Sequence, residues 1–436
     1  MQGYNPRTAR NPFKETLLSN ENHDWGKPME QGPGDVGFDT SYVSLAGLQN
    51  PPYMFLRNNV ADIDTNNIKF WEVGNFSMPS GLSKIDKRGE GAADWDSTAY
   101  NQILVNETIK FLDDHLENDA DKPFFTYVAL GAVHTPHSPP DTYLKGERIA
   151  GEYPTPHMDV LLEMDMIVGT YKTMLEERGL LEDTIFFFTS DNGGLGMNTG
   201  SDSGRSGHHS GGPLRSEKAS IYEGGHRIPM TISWPGGNIP AGERRSHYVG
   251  LNDIFATLCD LAGIKVPKSQ AVDSISFADY LKDGTKTNNL RKTLGFWSFV
   301  KYGNSFRLGK ESIRMGDMKL IHDYQTDKFE LYNLASDLAE GRDLALGDNI
   351  NSTLIDEMYK ELKSFGPCHD RIGKFKIRGQ KKPRRCKWFA KKDTFARCEK
   401  FQEGWQHCRL TCALRSSAQC KSISDLNNKD QDTDAE

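Results

Sequence analysis

Residues 157–194 read HMDVLLEMDMIVGTYKTMLEERGLLEDTIFFFTSDNGG, and this junction limits the folds open to the chain more than any other stretch. Apolar side chains recur at helical spacing up to Gly179, a residue placed to end a helix, and a continuous apolar run, DTIFFFTS, follows after a short turn. Such a run, apolar on both faces, is the pattern of a strand covered on both sides. Upstream, STAYNQILVNETIKFLDDHLEND repeats the helical period, and KPFFTYVALGAVHTP reads as another continuous buried strand. Downstream, RIPMTISWPGG reads as a third strand, closed by a Pro-Gly turn. Strands and helices of these lengths in alternation predict an α/β fold with a central, largely parallel sheet covered by helices. Ligands of such sheets gather at the carboxyl ends of strands, and both AVHTP and TSDNGG fall at such ends.

Asp191 and Asn192 leave their strand together and offer two hard oxygen ligands, while Gly193 and Gly194 let the backbone turn away without a Cβ clash. Oxygens of this kind suit Ca²⁺ or Mg²⁺, with Ca²⁺ favoured where about six or more converge. The same four residues are also ordinary Asx-turn chemistry.

Charge and cysteine are unevenly spread. Over 436 residues, 53 Lys+Arg against 60 Asp+Glu give a net charge of −7, which by itself points to no nucleic acid or other partner. Residues 371–397, however, hold twelve Lys/Arg against the single acid Asp393. That segment is either a solvated basic face or a patch that holds an acidic polymer. Cys259 stands alone in an apolar helical pattern and reads as a buried thiol acting as a small hydrophobe. Cys368, Cys386, Cys398, Cys408, Cys412 and Cys420 crowd into the last seventy or so residues and read as a three-bridge disulfide framework in an oxidising compartment. Zinc is the rival reading, but no C-x2-C pair is present. The final residues, 421–436, are polar and read as a disordered tail. No stretch approaches the roughly 20 apolar residues of a membrane span, and the first residues carry no apolar signal-peptide core.

Taken in order, DVGFDTSY, NPPY, PFFTYVALGAVHTPHSPPDTY, EMDMIVGTYKTMLEERGLLEDTIFFFTSDNGG, the K-x4-EGG-x-R-x-P block at 218–229 and NDIFATLCDLAGI resemble the sulfatase family, of the alkaline-phosphatase-like superfamily. RMGDMKLI and FELYNLASDLAE resemble its small C-terminal sheet subdomain, so that the resemblance runs from about residue 22 to 365. The implied organisation is a catalytic domain over 1–265, a C-terminal subdomain over 266–365 and a basic cysteine-rich module over 366–420, the last resembling small secreted modules. The resemblance implies hydrolysis of sulfate esters, one bound Ca²⁺ and a formylglycine nucleophile made from a C/S-x-P-S-R motif. Carried over residue by residue, Asp191 and Asn192 become metal ligands. Lys218 becomes the cation on the sulfate and leaving-group oxygens, and His134 the donor at the leaving oxygen. A tetrahedral anion that builds charge in its transition state needs fixed cations and donors of this kind. His137, His208 and His209 lie near enough in sequence to contribute.

The sequence also departs from the pattern. It holds no C/S-x-P-S-R motif, and its one early Asp-Asp pair, Asp113 and Asp114, lies inside a helical pattern. The expectation is therefore a sulfatase without its first hundred or so residues, catalytically incomplete as it stands. Gly47 and Gln49 stand where related sequences often carry Ser and Asp, which leaves the substrate rim altered. Three functions are consistent with these residues: a hydrolase of aryl sulfates or sulfated carbohydrates in a secreted or lysosome-like compartment; a phosphodiesterase or phosphonate hydrolase of the same superfamily; and a non-catalytic binder of sulfated polysaccharide.

Overall fold

A computed structural model of the chain describes residues 24–29, 32–144, 146–195, 206–266, 271–302, 305–347 and 351–364, with backbone alone over 299–302 and 305–308. The chain divides into two compact units, Met1–Thr184 with Gly196–Ser210, and Ile185–Leu195 with Gly211–Glu436.

The first unit opens with short strands: β1 (Tyr42–Ser44), β2 (Phe55–Arg57), β3 (Val60–Ala61), β4 (Ile68–Trp71), β5 (Gly74–Met78), β6 (Gly81–Ile85) and β7 (Gly89–Ala92). β1, β2 and β3 form one sheet, while β4 pairs with β7 and β5 with β6. Aromatic residues fill the space behind them. Tyr53 and Trp95 lie 5.6 Å apart by ring centroid, and Phe55 and Tyr100 lie 5.0 Å apart. Two long helices follow. α1 (Tyr100–Asn118) buries Tyr100, Asn101, Leu104, Val105 and Leu112. α2 (Pro156–Glu177) buries Val160, Glu163, Ile167, Tyr171 and Met174, a stripe at three- and four-residue spacing.

Gly179 ends α2 as the sequence predicts, and the helix starts at Pro156, one residue before the pattern read from His157. Pro156 occupies the first turn, where its missing N–H costs nothing, and the Thr155 side chain accepts from Met158 N. Gly179 takes the left-handed conformation at φ 66°, and Leu180 N donates to Leu175 O at 2.8 Å to close the helix. Thr155→Ala should lower stability by about 0.5–1 kcal/mol, the weaker half of the usual capping range because this bond is long at 3.4 Å. Urea unfolding of the two proteins measures it, and an unchanged midpoint would assign the cap no weight.

The segment KPFFTYVAL corrects its sequence reading. Residues 123–131 belong to no described strand, and Phe125 and Tyr127 are 62% and 74% exposed rather than buried. An apolar run shows that a strand could be covered on both sides. The ladder partners that would make it a sheet strand are set elsewhere in the chain, and no described strand pairs with it.

The second unit contains β8 (Phe186–Thr189), α3 (Glu223–His226), β9 (Met230–Ser233), α4 (Asp253–Leu261), α5 (Ala278–Lys282), β10 (Thr293–Tyr302), β11 (Ser305–Met315), β12 (Met318–Asp323), β13 (Lys328–Asn333) and α6 (Ser352–Ser364). β8 pairs with β9, placing Phe187 opposite Ile232, and both pack on a core that includes Leu261, Phe277 and Leu281. β10 to β13 form an antiparallel meander in which Leu320 lies opposite Ile313 on one side and Leu331 on the other. α6 adds Ile355, Met358 and Leu362 to this core, at helical spacing. This is the expected C-terminal sheet, and RMGDMKLI is its β11–β12 hairpin.

Every described ladder is antiparallel, so the expected parallel pairing is not among the described strands; Tyr53 and Gly91 form an isolated parallel bridge. Cys259 lies in α4 half-buried rather than fully buried. Cys368, Cys386, Cys398, Cys408, Cys412, Cys420, the basic stretch 371–397 and the tail lie outside the described residues. Among the described residues, no helix is long and apolar enough to cross a membrane.

Candidate active site

In the second unit, β8 ends at Thr189, whose hydroxyl donates to Pro229 O at 2.9 Å. The chain then turns. Ser190 Oγ donates to Asn192 O at 2.9 Å, and the Asn192 amide donates to Asp191 Oδ1. Gly193 N then donates to Gly225 O at 3.0 Å, and Gly194 O accepts from Lys218 N at 3.0 Å. The turn that carries Asp191 and Asn192 is thereby tied by backbone bonds to the segment that carries Lys218.

The glycines make this possible through space as well as torsion. A Cβ on Gly193 would lie 1.8 Å from Gly224 O, and one on Gly224 would lie 2.2 Å from Ser216 O. DNGG and EGG are therefore one interlocked piece of backbone, and Gly193, read from the sequence as part of a turn, serves close approach together with Gly224.

Beneath this interlock sits a buried charged cluster that the sequence reading missed. Lys319 Nζ, on β12, lies 2.9 Å from Glu223 Oε1 and 2.8 Å from Glu340 Oε1. Glu340 also accepts from Glu223 N at 2.7 Å, and Arg227 donates to Glu223 Oε2 at 3.1 Å. Burial raises the carboxyl pKa of Glu223, but the Lys319 cation, with His226 and Arg227 beside it, outweighs that and the net shift is downward. Glu340 moves upward, because burial there outweighs the same cation. His226, 3.2 Å from Lys319 Nζ, is pushed down to about 4 by burial and by that cation, so it is neutral at physiological pH.

His134 belongs to the first unit. It is exposed, its N–H donates to Gly131 O at 2.8 Å, and its Nδ1 lies 2.8 Å from Thr135 O. A carbonyl can only accept, so Nδ1 carries the hydrogen there and Nε2 is left as the atom that takes or gives a proton. Gln49, at one of the departing positions, donates to Thr135 Oγ1 at 3.0 Å and so braces the same turn. His137 and His208 also fall in this unit, linked through His157 by ring separations of 4.8 Å and 6.1 Å, whereas His209 is exposed.

The Ca²⁺ expectation matches these residues in donor type but not in donor number. Asp191 and Asn192 are hard-oxygen side chains at one turn, yet among the described residues no group of three or more His, Cys, Asp or Glu is placed to hold a metal ion. Two side chains fall short of the roughly six to eight oxygens Ca²⁺ takes.

Comparison with known proteins agrees with the sequence resemblance. A family model described as Sulfatase matches residues 20–264, more than half of the chain, and one described as N-sulphoglucosamine sulphohydrolase, C-terminal, matches residues 216–366. A sulfatase of Formosa agariphila is 30% identical over 286 residues, 59% of this chain and 50% of that protein. An N-acetylgalactosamine-6-O-sulfatase of Bacteroides thetaiotaomicron is 27% identical over 350 residues, 71% of this chain and 65% of that protein. The N-acetylgalactosamine-6-sulfatase of Canis lupus familiaris is 31% identical over 224 residues, 48% of this chain and 40% of that protein. The chain thus spans less than two thirds of the length of each of these relatives. A solved structure from work on the metabolism of multiple glycosaminoglycans by Bacteroides thetaiotaomicron shares the fold at a TM-score of 0.62, with 24% identity, covering 80% of this chain and 76% of that one.

Proposed function

The chain belongs to the sulfatase family, and on that premise we propose that it serves the hydrolysis of sulfate esters on carbohydrates, with Lys218, Asp191 and Asn192 of the second unit as site residues and His134 of the first unit as the further residue that the family resemblance implies. The observation that carries this reading is the backbone interlock, in which Gly193 N meets Gly225 O and Lys218 N meets Gly194 O. It ties the backbone of the turn bearing Asp191 and Asn192 to that of Lys218, which supports a shared role in charge stabilisation on a tetrahedral anion. Lys218 supplies the cation to the sulfate oxygens. As an oxygen nucleophile bonds to sulfur and the S–O ester bond breaks, His134 in its imidazolium form gives the Nε2 proton to the departing alcohol oxygen, and the added oxygen completes the sulfate. The nucleophile that the family resemblance implies, a formylglycine from a C/S-x-P-S-R motif, has no counterpart in these 436 residues. The relatives named as N-acetylgalactosamine-6-sulfatases support a 6-sulfated amino sugar as substrate. A bound Ca²⁺, secretion into an oxidising compartment and adhesion of the basic cysteine-rich segment to sulfated polysaccharide belong to the same proposal.

The test is binding and turnover of 6-O-sulfated N-acetylgalactosamine by the purified 436-residue chain. The sulfated sugar should bind in preference to the unsulfated one, and Lys218→Ala should weaken it about tenfold or more through loss of a charge-assisted contact. No inorganic sulfate should be released. Release abolished by His134→Ala would overturn the incompleteness and keep the reaction class. Equal affinity for the two sugars would overturn the class.

A further inference from the structure

We propose that Asn101 and Glu163 are positioning residues that fix the backbone under His134 and, through it, the imidazole tautomer. The inference rests on the role given to His134 above, but its observations are independent of that role and lie wholly within the first unit.

Asn101, in the first turn of α1, is buried. Its carbonyl oxygen accepts from Gly131 N at 2.9 Å and from Ala132 N at 3.2 Å. Gly131 O in turn accepts from His134 N. The turn bearing His134 is therefore pinned at its entry by one side-chain oxygen. Residues 123–131 have no ladder partner among the described strands, so these two bonds are the described hydrogen bonds that tie segment 123–132 to another element. Gly131 permits the approach, since a Cβ there would lie 2.7 Å from Leu48 and 2.9 Å from the Tyr100 ring.

An asparagine can hold two N–H donors only with its oxygen turned toward them, and its two ends are nearly the same shape. Glu163 decides the orientation. Its Oε2 accepts from Asn101 Nδ2 at 3.0 Å, and the side chain is almost wholly enclosed, with 1% of its surface exposed. In its ionised form the Glu163 carboxylate offers no donor, so only the amide nitrogen can face it, and the oxygen is left for Gly131 and Ala132. Glu163 occupies a core position of α2 between Val160 and Ile167, where an apolar residue would pack at no desolvation cost. Its Oε1 has no hydrogen-bond partner among the described residues, so the carboxyl is kept for the one bond that it makes to Asn101.

The experiment is ¹⁵N NMR of the histidine side chains in the full chain, comparing wild type with Asn101→Ala, Glu163→Leu and Glu163→Gln. Wild-type His134 should show the Nδ1–H tautomer that its bond to Thr135 O requires. Asn101→Ala should lose that signature and give the mixed pattern of a free imidazole, while His322, in the second unit, keeps its own. Glu163→Gln, which still offers an acceptor to Asn101, should retain the signature, and Glu163→Leu should lose it. The leucine variant exchanges a buried carboxyl for an apolar side chain of similar volume, so it keeps the comparison decisive if Asn101→Ala fails to fold. An unchanged His134 spectrum in folded Asn101→Ala, or the same spectrum in the leucine and glutamine variants, would overturn the proposal. The readout needs no turnover. Tautomer loss in a chain that does not distinguish sulfated from unsulfated sugar would retire the proposed function and leave the positioning intact.

Discussion

Lys319→Met should destabilise the second unit by about 3–5 kcal/mol, the cost of breaking a buried ion pair by removing one partner. Lys319 is 0% exposed and Glu223 and Glu340 are 1% exposed, so water cannot reach in to replace the lost cation. Methionine matches the volume of the lysine stem and leaves little cavity. What remains is two carboxyls with one counter-charge between them, Arg227, which reaches only Glu223. The expected response is proton uptake by Glu340, whose carboxyl is already shifted upward. The loss should therefore shrink as pH falls. A triple variant, Lys319→Met with Glu223→Gln and Glu340→Gln, removes all three charges and should recover most of the stability, because the penalty belongs to the unpaired charge rather than to the missing attraction. Urea unfolding of wild type, single and triple variants makes the comparison. A single variant within about 1 kcal/mol of wild type, or a triple variant no better than the single, would mean that the cluster is hydrated.

Much of this architecture was legible because its signals are local. α2 is written in a three- and four-residue stripe, a proline at its first turn and a glycine at its stop, all within one stretch of chain. β8 was legible in the same way, and so was the position of Asp191 and Asn192 at its end. What the sequence did not show depends on distant partners. KPFFTYVAL has the composition of a buried strand, but burial is conferred by neighbours that lie elsewhere in the chain. Gly193 reads as a turn glycine and Gly224 only as part of the EGG block, whereas both are needed because remote pieces of backbone touch. Lys319 gave no signal at all, since β12 is buried at every position from Lys319 to His322 and so lacks the alternation that marks an odd residue. Glu163 did carry a signal. It is a carboxyl on an otherwise apolar helical stripe, and a polar residue at a core position asks what it binds. That question leads to Asn101 and the His134 turn.

Glu163→Gln should be as stable as wild type at pH 4.5 and more stable by about 3 kcal/mol at pH 8. Burial raises the Glu163 pKa from 4.5 to about 7, and the hydrogen bond from Asn101 offsets this only in part. A carboxyl with a raised folded pKa binds more protons in the native chain than in the unfolded one between those two values. Its favourable contribution is complete below pH 4.5 and is lost as pH rises through about 7, at roughly 1.4 kcal/mol per unit over that interval. Glutamine does not ionise, so it escapes the loss while still accepting from Asn101. The other titrating groups are common to both proteins, and Tyr143, raised above its ordinary value by burial and by Glu163, stays protonated over the pH range compared. Urea unfolding at pH 4.5, 6 and 8 gives the difference between the two proteins directly. It should open across the middle of the range and be flat above pH 8. A constant offset at all three pH values would show that Glu163 ionises at its ordinary value, which in turn requires water or a further donor at the Oε1 side of the carboxyl.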